Sequence, residues 1–173
     1  YAQIYVISNG TQTKYYSNTT RERANGENIN KDSTKQKTSN SFEFTSFWAD
    51  ARNKTIDDLE DFAATFLTKH TLLNVIIKYC VFTADNLLLV MRPYQIVAAE
   101  KIINQININL NNKKQIGTIN AGGYVWHTTG SGKTLTSFKA ARIAADNEEI
   151  KKVLFVVDRK DLDYQTMREY DKF

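Results

Sequence analysis

Residues 123–134 read Gly-Tyr-Val-Trp-His-Thr-Thr-Gly-Ser-Gly-Lys-Thr, and the fold is decided in this stretch. Gly123-Tyr124-Val125-Trp126 has the β-branched and aromatic character of a strand, His127 to Gly132 that of a loop, and Lys133 to Ala145 that of a helix. Glycines at 130 and 132 let the backbone curl so that successive N–H groups converge on one anion, and the helix that follows turns its positive end to the same place. Lys133 supplies a point charge for β- and γ-phosphates, and the Thr134 hydroxyl is of the kind that ligates Mg2+. A chance glycine-rich turn would have to account for Lys-Thr at the right offset as well as for both flanking elements. The stretch therefore predicts a nucleotide site. The general pattern G-x-x-x-x-G-K-[ST] wants glycine at 127, where histidine stands.

Working outward, Val153-Leu154-Phe155-Val156-Val157-Asp158 is a continuous apolar run of the form taken by a buried parallel strand, and Leu162 onward suggests another helix. The order strand, loop, helix, strand, helix implies a βαβ unit, a parallel sheet with a right-handed crossover, and a ligand at the carboxyl ends of its strands. On the amino-terminal side, Arg92-Pro93-Tyr94-Gln95 leads into a helix with Val97, Ala98, Ile102, Ile103 and Ile106 on one side, its proline where a helix start tolerates one. The asparagine-rich residues 107–120 read as a surface loop.

Earlier still, Asn86 to Met91 reads as a short strand and Leu72 to Val81 as a mostly apolar helix. Thr55 is placed to cap a helix over 56–67, whose apolar residues recur at three and four and whose acids fall early, where the helix dipole favours them. Phe42, Phe44, Phe47 and Trp48 form an aromatic patch, read as packing. From Thr19 to Asn40 the chain is polar, with Ile29 its lone large aliphatic residue; Lys31, Lys35 and Lys37 there fit either a solvated connector or phosphate contacts. Residues 3–8 and 13–17 flank Asn9-Gly10, a strong hairpin signal. A lone hairpin is marginal, so this one is expected to join a sheet whose other strands lie outside the chain.

The 173 residues, with 42% hydrophobic and 24% charged side chains, have the composition of globular protein, which excludes collagen-like, disordered and disulfide-scaffold classes. A net charge of +4 is a mild bias toward polyanions and decides nothing alone. The single cysteine, Cys80, cannot form an internal disulfide and sits in an apolar run, so a reducing, cytoplasmic location and an inert thiol are the simplest reading. No run approaches the roughly 18 apolar residues that span a bilayer. Histidine at 127 has no cysteine or histidine at metal spacing, which argues against zinc; it reads as a loop-shaping hydrogen bonder. The first residue is Tyr rather than Met and the last three stop within a helix-like pattern, so the chain is expected to be a piece of something longer.

Trp126 to Thr134, followed by Val157-Asp158-Arg159-Lys160-Asp161-Leu162-Asp163-Tyr164-Gln165, closely resembles the R (motor and nuclease) subunit of type I restriction–modification enzymes. Arg92-Pro93-Tyr94-Gln95 matches the same family, and Phe47-Trp48 and the Leu59 to Leu67 segment agree in position. The relaxed first position of the loop is also what superfamily 2 helicases often show. The resemblance implies an α/β protein: a partial PD-(D/E)XK-like nuclease sheet, then the beginning of a RecA-like phosphate-loop lobe with a parallel sheet. Residues 1–41 would be the end of the endonuclease domain with its polar loop, 42–91 a helical link to the motor, and 92–173 the start of the first helicase lobe.

It implies ATP and Mg2+ as cofactors, held by Thr129, Gly130, Ser131, Gly132, Lys133 and Thr134, with Lys133 and Thr134 catalytic and Thr134 on the metal. Arg92, Tyr94 and Gln95 would recognise adenine, the Gln95 amide bonding the base edge and Tyr94 or Arg92 stacking on its face. Arg159, Lys160 and Gln165 would lie along the DNA track, a solvated strand end being the competing reading for the two cations. The implied activity is ATP-driven translocation on double-stranded DNA and cleavage of unmodified DNA, with methyltransferase and specificity subunits as partners and no membrane. The Asp and Glu-x-Lys that such cleavage needs, and the acidic helicase motif II, are not found here and are expected before Tyr1 and after Phe173. The rival readings are another superfamily 2 motor and a nucleotide-dependent scaffold.

Overall fold

The computed structural model describes residues 3–17, 45–84, 88–157, 167–168 and 170–173. The polar stretch 19–40, Phe42 and Phe44, and Asp158, Arg159, Lys160 and Gln165 lie outside the described residues. The chain divides into two compact units, Tyr1–Arg92 and Pro93–Phe173.

In the first unit, strands β1 (Ile4–Ser8) and β2 (Thr13–Ser17) pair antiparallel with Ile4 opposite Ser17 and Ser8 opposite Thr13. Residues 9–12 close the turn around the Asn9 side chain, whose Oδ1 accepts from the Thr11 and Gln12 amides, while Gly10 adopts φ +95°. Contrary to expectation, the hairpin finds further strands within the chain. β3 (Ser46–Ala49) pairs with β2, and β4 (Thr55–Ile56) with β3, giving a four-stranded sheet in the order β1-β2-β3-β4 that joins residues on both sides of position 41. Asp50 closes the β3–β4 turn by accepting from the Lys54 and Arg52 amides; the Lys54 bond is the main cause of a carboxyl held below its ordinary range.

Thr55 is therefore a strand residue and not the helix cap. Asp58 caps α1 (Leu59–Phe66), its carboxylate accepting from Glu60 and Asp61 amides. Helix α2 spans Lys69–Lys78 behind a Thr68 cap, three residues earlier than the apolar pattern suggests, because Cys80–Phe82 leaves the helix as β5 to pair with β6 (Leu88–Val90). Alternation along β2 turns Thr13, Tyr15 and Ser17 inward. There Tyr15 packs on Phe66 (4.9 Å between ring centroids) and edge-on to Trp48, Phe62 stacks on Phe66, and the Tyr15 hydroxyl donates to the Met91 carbonyl. Of the expected aromatic patch, half-buried Trp48 packs on Tyr15 and Phe66, and half-buried Phe47 lies under the Lys14 ammonium, 4.5 Å from its ring centroid.

In the second unit, α3 (Pro93–Asn111) packs on α4 (Lys133–Ala145). Small residues are buried on both helices, Ala98 and Ala99 on α3 and the i, i+4, i+8 stripe Thr136, Ala140 and Ala144 on α4. α3 runs five residues into the stretch expected to be a loop, and two short 3-10 turns, Lys113–Gln115 and Ile119–Ala121, follow it. Buried Asn109 ties the second turn down by donating to the Ala121 carbonyl, and Gln105 donates to that of Asn120. Beside α4, Phe138 and Phe155 pack on Tyr170, whose hydroxyl bonds Ser137; burial raises that phenol above its ordinary pKa.

Both expected parallel strands differ from expectation. Residues 122–128 and 151–157 carry no ladder pairing among the described residues, so no βαβ sheet forms there. Trp126 is 88% exposed and Leu154 85%. A parallel strand is stabilised by neighbours on its edges and helices on its faces, and the described residues offer these two segments a single crossover helix.

Candidate nucleotide site

The loop is shaped by two left-handed glycines, Gly130 at φ +77° and Gly132 at φ +76°. Between and around them, the Thr128 carbonyl gathers three donors: the Ser131 amide at 3.3 Å, the Ser131 hydroxyl at 2.7 Å and the Lys133 ammonium at 3.1 Å. Gly132 is the N-cap of α4 and brings no side-chain cap, and the first turn holds no acid. The amides at this helix start are therefore neither bonded by a capping side chain nor offset by a carboxylate, which leaves the positive end of the helix dipole for an anion.

The first turn of α3 braces the loop from the other side. Gln95, 4% exposed, donates through Nε2 to the Ser131 carbonyl at 3.1 Å and to the Gly132 carbonyl at 3.2 Å. Tyr94 donates its hydroxyl to the same Ser131 carbonyl at 2.8 Å. A Cβ at position 132 would collide with the Gln95 amide nitrogen, so the dihedral angle favours glycine there and any side chain would push the Gln95 amide aside. His127 meets Tyr94 ring to ring, edge-on, with centroids 5.3 Å apart. Its visible role is packing, where sequence suggested a hydrogen bonder. A groove of about 630 Å³ runs beside the loop between α3 and residues 121–127, lined by Tyr94, Val97, Lys101, Ile102, Tyr124 and Trp126.

The structure thus brings together Tyr94, Gln95, Ser131 and Gly132, with Gly130, Thr129 and Lys133 exposed on the loop and Thr134 half-buried in the first turn of α4. Arg92 is exposed at the end of the preceding unit. The Thr128 carbonyl, on which the loop closes, was not among the residues singled out from sequence. Backbone acceptors carry no residue-type signal, and only the fixed offset to Ser131 and Lys133 hints at it.

Residues 94–173 match the SWI2/SNF2 ATPase family. Over its full length the chain is 42% identical to a type I restriction enzyme endonuclease subunit of Staphylococcus aureus strain COL, covering 16% of that protein. This chain is a homologue of the type I restriction enzyme endonuclease subunits. It is also 56% identical over 126 residues to a Mycoplasma pneumoniae protein named as the C-terminal part of the MpnIIP type I restriction enzyme endonuclease subunit, covering 73% of this chain and 61% of that one. To the EcoprrI endonuclease subunit of Escherichia coli it is 43% identical over 127 residues, 36% of that protein. It thus spans less than two thirds of the restriction subunits it matches. Among the described residues, no helix is long and apolar enough to cross a membrane.

Proposed function

We propose that this chain is a segment of the motor subunit of a type I restriction enzyme, and that residues 129–134 bind the triphosphate of ATP. The observation that carries the reading is the uncapped, acid-free start of α4 preceded by two left-handed glycines and followed by Lys133-Thr134, within the region that matches the SWI2/SNF2 ATPase family. These residues fit a polyphosphate with Mg2+. Gly130 has open space around it, where a Cβ would meet nothing within 4 Å, so phosphate oxygens can approach the backbone. Lys133, now on the Thr128 carbonyl, is exposed and long enough to turn to β- and γ-phosphates, and Thr134 would supply the hydroxyl for the metal. Bound Mg2+ would offset the charge that develops on the transferred phosphoryl group.

Arg92, Tyr94 and Gln95 remain candidates for adenine. Gln95 gives both amide hydrogens to the loop, so pairing with a base edge would require it to release one of them. In the complete protein, 1–41 would belong to the nuclease domain, 42–91 to a helical link, and 92–173 to the first RecA-like lobe. Arg159, Lys160 and Gln165 would follow the DNA track. ATP hydrolysis would then drive translocation on double-stranded DNA and its cleavage, alongside methyltransferase and specificity subunits. Lys133→Ala in the full-length protein tests the core of this reading. ATP turnover is expected to fall roughly 10²–10³-fold or more with subunit assembly retained; turnover equal to the parent would overturn the assignment.

A further inference from the structure

Tyr94 holds the phosphate loop at both ends. Its ring lies edge-on to His127, centroids 5.3 Å apart and planes at 88°, where the loop begins. Its hydroxyl reaches the Ser131 carbonyl at 2.8 Å, just before the second left-handed glycine. The three residues between, Thr128, Thr129 and Gly130, form the turn that Thr128 closes from within by accepting from Ser131 and Lys133. Gln95 bonds the far end, through Ser131 and Gly132. Tyr94 thus spans the loop, and it can do so because an aromatic body and a terminal donor sit at opposite ends of one rigid side chain.

We infer that Tyr94 is a positioning residue that sets the span of the phosphate loop, and that histidine stands at 127, in place of the general pattern's glycine, because Tyr94 requires an aromatic partner there. The inference rests on the reading of 129–134 as a nucleotide site, and it gives Tyr94 a different task from stacking on adenine. A loop already held at both ends loses less conformational freedom when a polyphosphate binds. Removing the Tyr94 hydroxyl leaves the Ser131 carbonyl with Gln95 and lets the turn open. The loss falls on phosphate affinity and takes no account of the base.

The test measures the Kd of fluorescent ATP and GTP analogues on the full-length protein. Tyr94→Phe, which keeps the ring, raises Kd for both nucleotides by the same factor, about three- to tenfold. His127→Gly restores the general pattern yet weakens both by about two- to tenfold, whereas His127→Phe keeps an aromatic edge partner and stays within about twofold of the parent. Amide exchange over 129–132 quickens in Tyr94→Phe while α4 remains protected. Three results would overturn the inference: a Tyr94→Phe Kd indistinguishable from the parent, a loss confined to the adenine analogue, or His127→Phe behaving like His127→Gly. Lys133→Ala is measured in parallel. If it binds nucleotide as the parent does, the inference falls together with the nucleotide-site reading; if it fails to bind while Tyr94→Phe binds normally, the span-setting role alone is lost.

Discussion

Gly130 and Gly132 share one backbone conformation but face different surroundings, so the same substitution has different costs at the two sites. At Gly130 an added methyl meets open space, and alanine would suffer only the left-handed strain of about 1–2 kcal/mol. At Gly132 it would also strike the buried Gln95 amide. Gln95 must then shift its amide and give up its bonds to the Ser131 and Gly132 carbonyls, at a further cost of about 0.5–1.5 kcal/mol for each bond, while Tyr94 still donates to the first carbonyl and Thr136 to the second. Chemical denaturation of the two alanine variants should therefore rank Gly132→Ala clearly below Gly130→Ala; equal losses would mean that strain alone governs both. The glycines were legible from the motif. What demands the second one was not, because the colliding side chain stands 37 residues earlier and its approach is a fact of packing between α3 and α4.

Between elements, local signals set what could be read. The hairpin strand 13–17 and helix α4 lie where sequence put them, since each is punctuated by its own glycines. The start of α1 shows how such signals compete. Thr55 and Asp58 are both good capping types before the same apolar run, and pairing of Thr55–Ile56 with β3 removes the threonine from contention. Asp58→Ala should accordingly destabilise the first unit by about 0.5–2 kcal/mol through the lost bonds to Glu60 and Asp61, and Thr55→Ala by clearly less, as read from urea midpoints. The reverse order would restore Thr55 as the cap. α2 was misplaced for a related reason. Its first turn, Lys69-His70-Thr71, is polar and carries no apolar signal, while Cys80 and Val81 extend the apolar pattern into what is a strand.

At the scale of the molecule, the two runs that point most strongly to a parallel sheet carry no ladder pairing among the described residues. Their apolar character is a statement about neighbours, and no local signal says whether those neighbours are present. If residues 92–173 open a RecA-like lobe, Leu154 and Val156, now 85% and 79% exposed, become interior once the remaining strands of the full-length protein join them. One substitution then has opposite effects in two settings. In residues 1–173 expressed alone, Leu154→Lys removes exposed apolar surface from an unpaired segment, so it should reduce self-association in sedimentation velocity and lower dye binding to hydrophobic surface. In the full-length protein the same lysine would be forced into a sheet interior, at a cost of several kcal/mol that a thermal or urea melt would register. A full-length Leu154→Lys protein as stable as its parent would mean that the run is not a buried strand, and the parallel-sheet lobe would lose its central element.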